Sequence, residues 1–235
     1  MSETQEIAGR IAAQLDRVGG IRLTALSNPK AAAARQRLRA WQSARLARTH
    51  ASLLGDPRFG EAASFFLTDI YGANDPGLRD DQIRRVLPTA VKLLPAGGLD
   101  TIADAIELDA LSEDLDAAMI VALGAQVGSL NAAAYGAAYR KVDRRKDREH
   151  QIELIESLGQ SLDRLARQPL ISTTLALMRK PARLAGLSEL QSFLERGYGA
   201  FKKMGGADEF LKKVITRERK LLNALFEGDD RLLGE

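Results

Sequence analysis

Residues 117–139 carry no charged side chain, a run of 23 positions between Asp116 and the basic cluster Arg140, Lys141, Arg144, Arg145, Lys146 and Arg148. As one helix, at ~1.5 Å per residue, the run would measure roughly 34 Å, enough to cross a small domain or a bilayer. Gln126, Ser129 and Asn131 sit near its middle, where a membrane span tolerates them poorly, and its glycines and alanines add little hydrophobicity. Gly124, Gly128, Ala132 and Gly136 recur every four residues and form a smooth stripe that lets a neighbouring helix approach closely. The run therefore reads as a buried central helix over Leu115–Tyr139, and no membrane span is expected.

The rest of the composition narrows the chemistry. There is no cysteine, which removes disulfides, thiolate metal sites and thiol nucleophiles. His50 and His150 are the two histidines, and no Glu-x-x-His element exists, so a carboxylate-bridged di-iron bundle is excluded. Aromatics make up 5% of the chain, which leaves Leu, Ala, Ile and Val to build the core. Charge is unevenly spread. Residues 1–50 hold nine basic and three acidic side chains, whereas residues 51–120 hold five and thirteen. Segments of opposite sign in one chain can face each other after folding, a simpler account than a basic surface made for nucleic acid. Glu3, Glu6, Arg10 and Asp16 interrupt any signal-peptide core, while Ile7, Ile11, Leu15 and Val18 follow helical spacing. A short amphipathic first helix and a cytoplasmic, soluble protein are expected.

Start and stop signals predict an all-α, single-domain bundle of about eight or nine helices spanning 1–235, with a point of subdivision near 141–150. Asn28-Pro29 opens a helix to about Ser52, and Gly72 closes another begun near Arg58. Pro88 is expected to kink or split the helix over Leu78–Leu94. Ser112 is placed as the cap of the central helix, after a separate helix over Leu99–Ala110. Pro169 and Pro181 are expected to bracket a short helix, and Ser188 with Gln191 to form a capping box. There is no sustained period-two pattern and no internal repeat.

Two groups of residues carry candidate chemistry. Asp69 shares a helix face with Phe65 and Phe66 in a last turn, where the helix dipole disfavours an anion. Such an acid wants a cation, and Arg79 is the partner expected; the i,i+4 pairs Asp75–Arg79, Asp80–Arg84 and Asp81–Arg85 lie alongside. Arg45, seven residues after Leu38, falls on the Leu38–Trp41 face of an otherwise acid-free stretch and calls for a buried acid, Asp69 or Asp80. Asp69, Tyr71, Arg79, Asp80 and Arg45 thus form the polar cluster, structural or ligand-binding. Trp41, Phe66, Tyr135 and Tyr139 are candidates for a small apolar pocket. His50 is expected to face solvent or cap a helix. No catalytic residue, metal site or cofactor is assigned.

Phe65-Phe66-x-x-Asp69-Ile70-Tyr71-Gly72 followed by Arg79-Asp80, together with Phe193-Leu194-Glu195-x-Gly197-x-x-Ala200-Phe201, resembles a group of uncharacterised, all-helical bacterial proteins. The resemblance implies the helical fold and no nameable activity. Three function classes stay open. The first is a non-enzymatic helical binding protein, taking another protein's helix or a small ligand beside the central helix. A second is a nucleic-acid or phosphate-associated protein using the arginine edges of residues 30–48 and 140–148. The third is an enzyme built on Asp69, Arg79 and Asp80. The sequence leaves the oligomeric state undetermined.

Overall fold

The computed structural model describes residues 2–70, 77–93 and 96–234, with backbone alone for Leu26, Ile70, Leu78, Arg79 and Leu93. Tyr71 and the side chain of Arg79 therefore lie outside the described residues, as does the stop expected at Gly72. Eleven α-helices follow one another without a strand among the described residues. They are α1 (Glu3–Leu26), α2 (Pro29–Thr49), α3 (Ala51–Leu54), α4 (Gly60–Phe65), α5 (Gly77–Leu93), α6 (Ala96–Leu123), α7 (Ala132–Val142), α8 (Arg145–Ala166), α9 (Pro169–Leu184), α10 (Ser188–Met204) and α11 (Asp208–Phe226). A π turn, Phe66–Ile70, extends α4. Among the described residues, no helix is long and apolar enough to cross a membrane.

The central helix is α6, and it lies earlier than the uncharged run predicts. It runs unbroken from Ala96 to Leu123, through the boundary expected at Ala110–Ser112, because Ser112 donates to the Leu108 carbonyl instead of capping. At ~1.5 Å per residue its 28 residues span roughly 42 Å. The uncharged run breaks just beyond it. Gly124 adopts φ 53, a left-handed conformation open to glycine, and a 3₁₀ segment follows over Gly124–Ser129. Asn131 then caps α7 by accepting from the Ala134 amide at 2.9 Å.

Apolar side chains around most of its girth let α6 serve three packed groups at once. Leu99, Ala103 and Ile106 meet Ile7, Ile11 and Leu15 of α1. Leu108, Leu111 and Leu115 enter the main cluster with α4, α8, α10 and α11. Met119 and Leu123 pack with Leu38, Tyr135 and Leu225. α1 is a full 24-residue helix held by a capping box between Ser2 and Gln5.

Three local expectations are corrected. Pro88 lies inside α5 and Pro181 inside α9, and neither splits its helix. Ser188 makes no capping bond; Gln191 donates instead to the Leu175 carbonyl and to Glu195, tying α10 to α9. The basic and acidic segments meet within the fold: Arg10 reaches Glu107, Arg17 reaches Asp114, and Arg84 pairs with Asp16 rather than with Asp80.

The two segments that carry the family resemblance pack on each other. Phe65 meets the Phe193 ring at 5.3 Å, and Phe66 meets the Phe201 ring at 6.0 Å. Gly197 lies against the Phe65 ring, where a methyl group would overlap it. Arg196 donates to Asp69 across the same seam. Packing of α4 and its π turn against α10 accounts for this pairing of motifs.

Candidate functional site: a charged cavity inside the bundle

Helices α2, α6, α8 and α11 each turn charged side chains inward. At α6, Glu113 accepts from Arg22 (3.1 Å) and Arg39 (3.1 Å), and from Arg35 Nε (2.9 Å). Arg22, buried on α1, also grips Asp109 with Nη2 at 2.6 Å and pairs with Asp80. Burial opposes ionisation of Glu113, and the guanidiniums of Arg35, Arg39 and Arg22 outweigh it, so the carboxyl titrates below its ordinary range.

One turn along α6, Asp116 is also buried but receives a neutral donor, Gln42 Nε2, at 2.8 Å. Burial therefore dominates and pushes its pKa up. Two carboxylates three residues apart are thus driven in opposite directions by their partners. Asp116→Asn keeps the acceptor for Gln42 and removes the desolvated charge. It is expected to leave the unfolding free energy at pH 7 unchanged or raised, within about 1 kcal/mol. A urea-unfolding loss above about 2 kcal/mol would show instead an ionised, paired Asp116.

At α11, Glu218 accepts from Arg45 Nη1 at 2.8 Å and from His50 Nε2 at 2.8 Å. Arg45 and His50 more than offset burial, and the Glu218 pKa falls to about 2. Arg45 thus has the buried acid its face demands, but from α11. Asp80 is engaged by Arg22 and Asp69 by Arg196. His50 follows the last turn of α2, as capping would place it, yet it is buried. A carboxylate only accepts, so His50 Nε2 carries a proton and donates it to Glu218.

These side chains surround a cavity of about 120 Å³. Arg39, Arg45, His50, Asp109, Glu113, Asp116, Arg148 and Glu218 make up its charged wall, and Leu53, Phe66, Ile155, Phe210, Leu211 and Val214 belong to its apolar wall. A second cavity of about 50 Å³ adjoins it and shares Arg45, Tyr135, Arg148, Gln151 and Glu218. Tyr139 lines the smaller cavity with its ring 4.9 Å from the Arg148 guanidinium carbon, and burial holds its hydroxyl protonated. Trp41 stands behind both, stacked on Tyr135 at 4.3 Å.

Three buried nitrogens in this wall have no hydrogen-bond partner among the described residues: Arg45 Nε, His50 Nδ1 and Arg148 Nη2. Of these three side chains, Arg45 and His50 both contact Glu218, and Arg148 is the one with no carboxylate in direct contact among the described residues. Its Nη1 donates to Gln151 Oε1 at 3.3 Å, while Gln151 itself donates to Ser112 Oγ at 2.7 Å. Arg39 sits on Glu113 and Arg45 on Glu218, whereas Arg148 forms no salt bridge among the described residues. Chemically, the arrangement offers cationic donors beside an apolar wall, which suits an anion with an apolar body. Among the described residues, no group of histidine and carboxylate side chains is arranged to hold a metal ion.

Sequence reasoning singled out Arg45 and missed Arg148, Glu218, Glu113 and Asp116. The same signal marks two of them. Arg148 precedes Ile152 and Ile155 by four and seven residues, and Glu218 follows Leu211 and Ile215 by seven and three. Each is a charge on an apolar helix face.

No curated protein and no solved structure matches this chain. One family model does, over residues 22–232, and those residues include every side chain of the charged cavity. The chain belongs to that family, a domain of unknown function (DUF8198).

Proposed function

We propose that this protein binds a small ligand in the cavity between α2, α6, α8 and α11. One observation carries the reading: nitrogens from three separate side chains, all in the wall of one cavity, are buried without a hydrogen-bond partner among the described residues. Buried polar groups are normally hydrogen-bonded, and leaving one unpaired costs roughly 1–3 kcal/mol. A bound molecule that hydrogen-bonds these nitrogens removes that cost. The arginine edges invoked for nucleic acid are largely committed inside the fold: Arg35 and Arg39 to Glu113, Arg140 to Asp230, and Arg144 to Asp114.

A native mass spectrum of the gently purified chain tests the reading. The expected result is a stoichiometric small-molecule adduct that Val214→Phe, which narrows the cavity, removes. A bare mass, joined by no thermal shift across a panel of small charged and neutral metabolites, would refute it.

A second observation favours association with another protein. Leu170, Leu177 and Leu184 lie exposed at seven-residue spacing along α9, beside Arg179, Lys180 and Arg183 and with no acid in the helix. An amphipathic partner helix with acidic flanks is the complement. Light scattering and cross-linking of Leu177→Glu against the parent chain would report its loss.

A further inference from the structure

The cavity's charges identify the chemical class of its occupant. Arg39 and Arg45 have carboxylate partners within the protein, at Glu113 and Glu218. Arg148, 8% exposed, bonds the amide oxygen of Gln151 and lies over the face of Tyr139, and its Nη2 has no hydrogen-bond partner among the described residues. A guanidinium stays ionised in any protein interior, so it cannot shed its charge to relieve burial. The nearby Asp116 carboxylate acts on it electrostatically but makes no salt bridge with it among the described residues; Asp116 is held at 2.8 Å by Gln42, and Arg148 Nη2 is left without an acceptor there.

The same cavity is lined by Leu53, Phe66, Ile155 and Val214, whose side chains have no polar atom to offer. A ligand there meets both a cationic donor and a hydrocarbon surface. The volume sets the scale. A cavity of roughly 150 Å³ lined by aliphatic and aromatic side chains holds benzene, so about 120 Å³ holds a body of similar or slightly smaller size.

Building on the small-ligand reading, we infer that the occupant is a small organic monocarboxylate with a short apolar body, its carboxylate paired with Arg148 between the two cavities and its body against Leu53, Phe66, Ile155 and Val214. A dianion such as phosphate lacks the apolar part, and an amine adds a third cation beside Arg45 and Arg148. Arg45 Nε lies unpartnered in the same wall as a second donor.

Calorimetric titration of the full chain with butanoate, butanamide, butylammonium and inorganic phosphate tests this class directly. Butanoate is expected to bind, butanamide about 10–100-fold more weakly in keeping with a lost charge-assisted hydrogen bond, and butylammonium and phosphate not measurably. Arg148→Met is expected to weaken butanoate by the same factor while leaving helical circular dichroism unchanged. Should that variant fail to fold, Val214→Phe carries the test, because it shortens the apolar end and leaves every charge in place. Butanamide or butylammonium binding as tightly as butanoate would overturn the carboxylate class and leave a small-ligand cavity standing. So would a native adduct whose accurate mass corresponds to a compound without an acid group. Butanoate binding unaffected by both substitutions would place the site elsewhere and overturn both readings. Failure of every probe together with a bare native mass would also overturn both.

Discussion

Glu113→Gln should lower the melting temperature by on the order of 10 °C, the largest stability loss expected from any single conservative change in this chain. Glu113 is 3% exposed and receives Arg22, Arg35 and Arg39 from two different helices. Removing one partner of a buried ionic group costs roughly 3–5 kcal/mol, because the guanidiniums that remain are desolvated and uncompensated. At about 2–4 °C per kcal/mol for a chain of this size, the shift follows. Arg22 retains Asp109 and Asp80, so most of the loss should come from Arg35 and Arg39. Differential scanning calorimetry of Glu113→Gln, and of Glu113→Gln combined with Arg39→Met, checks the argument. The double variant should lose less than the sum of the two single changes, because both remove the same ion pair. A shift under about 2 °C for Glu113→Gln would show that the network contributes nothing net.

The second large effect is a pH dependence at Glu218. Its ordinary pKa of 4.5 drops to about 2 in the folded protein, since Arg45 and His50 outweigh the burial of the carboxyl. The unfolded chain therefore binds a proton at Glu218 over a pH range where the folded chain does not. Its stabilising contribution is complete above about pH 4.5 and is lost as pH falls toward 2. At 1.36 kcal/mol per pKa unit, that contribution is on the order of 3 kcal/mol. Glu218→Gln should be less stable than the parent by this order at pH 7, and the gap should close as the solution is acidified. Urea unfolding of both proteins at pH 7, 4.5 and 3 measures it. A gap of constant size from pH 7 to pH 3 would show that the Glu218 charge is not what Arg45 and His50 stabilise. Asp116 should behave in the opposite way, because its carboxyl gains nothing comparable from Gln42 and is pushed up by burial.

Much of this architecture was legible in the chain, for local physical reasons. Asn28 and Pro29 start α2 with a side-chain cap and a fixed φ, and the structure shows the cap at 2.9 Å from the Lys30 amide. Ile7, Ile11, Leu15 and Val18 recur on one face, and all four are buried. The opposite charges of residues 1–50 and 51–120 announced an internal pairing. The break in the uncharged run was harder to read. Gly124 and Asn131 are a stop signal and a start signal, but the four-residue stripe of small residues through Gly128 and Gly136 mimics a continuous helix. Local cues of similar strength compete there, and the left-handed Gly124 decides between them.

The identity of each charge's partner depended on the fold. Arg45 advertises a need for an acid because it interrupts an apolar face, yet 173 residues separate it from Glu218. Nothing in either segment encodes that distance. Electrostatic attraction has no sequence register, so a buried arginine takes whichever carboxylate the packing of α2 against α11 brings within reach. The same holds for Arg148, which has no salt bridge among the described residues, a fact that emerges only after α6, α8 and α11 have closed around it. Helix content, caps and apolar faces follow from spacing along the chain, since they rest on interactions within a few residues. The cavity and its unpaired donors belong to the tertiary structure, because they are defined by side chains from α2, α6, α8 and α11 that meet only when apolar burial has set the helices in place.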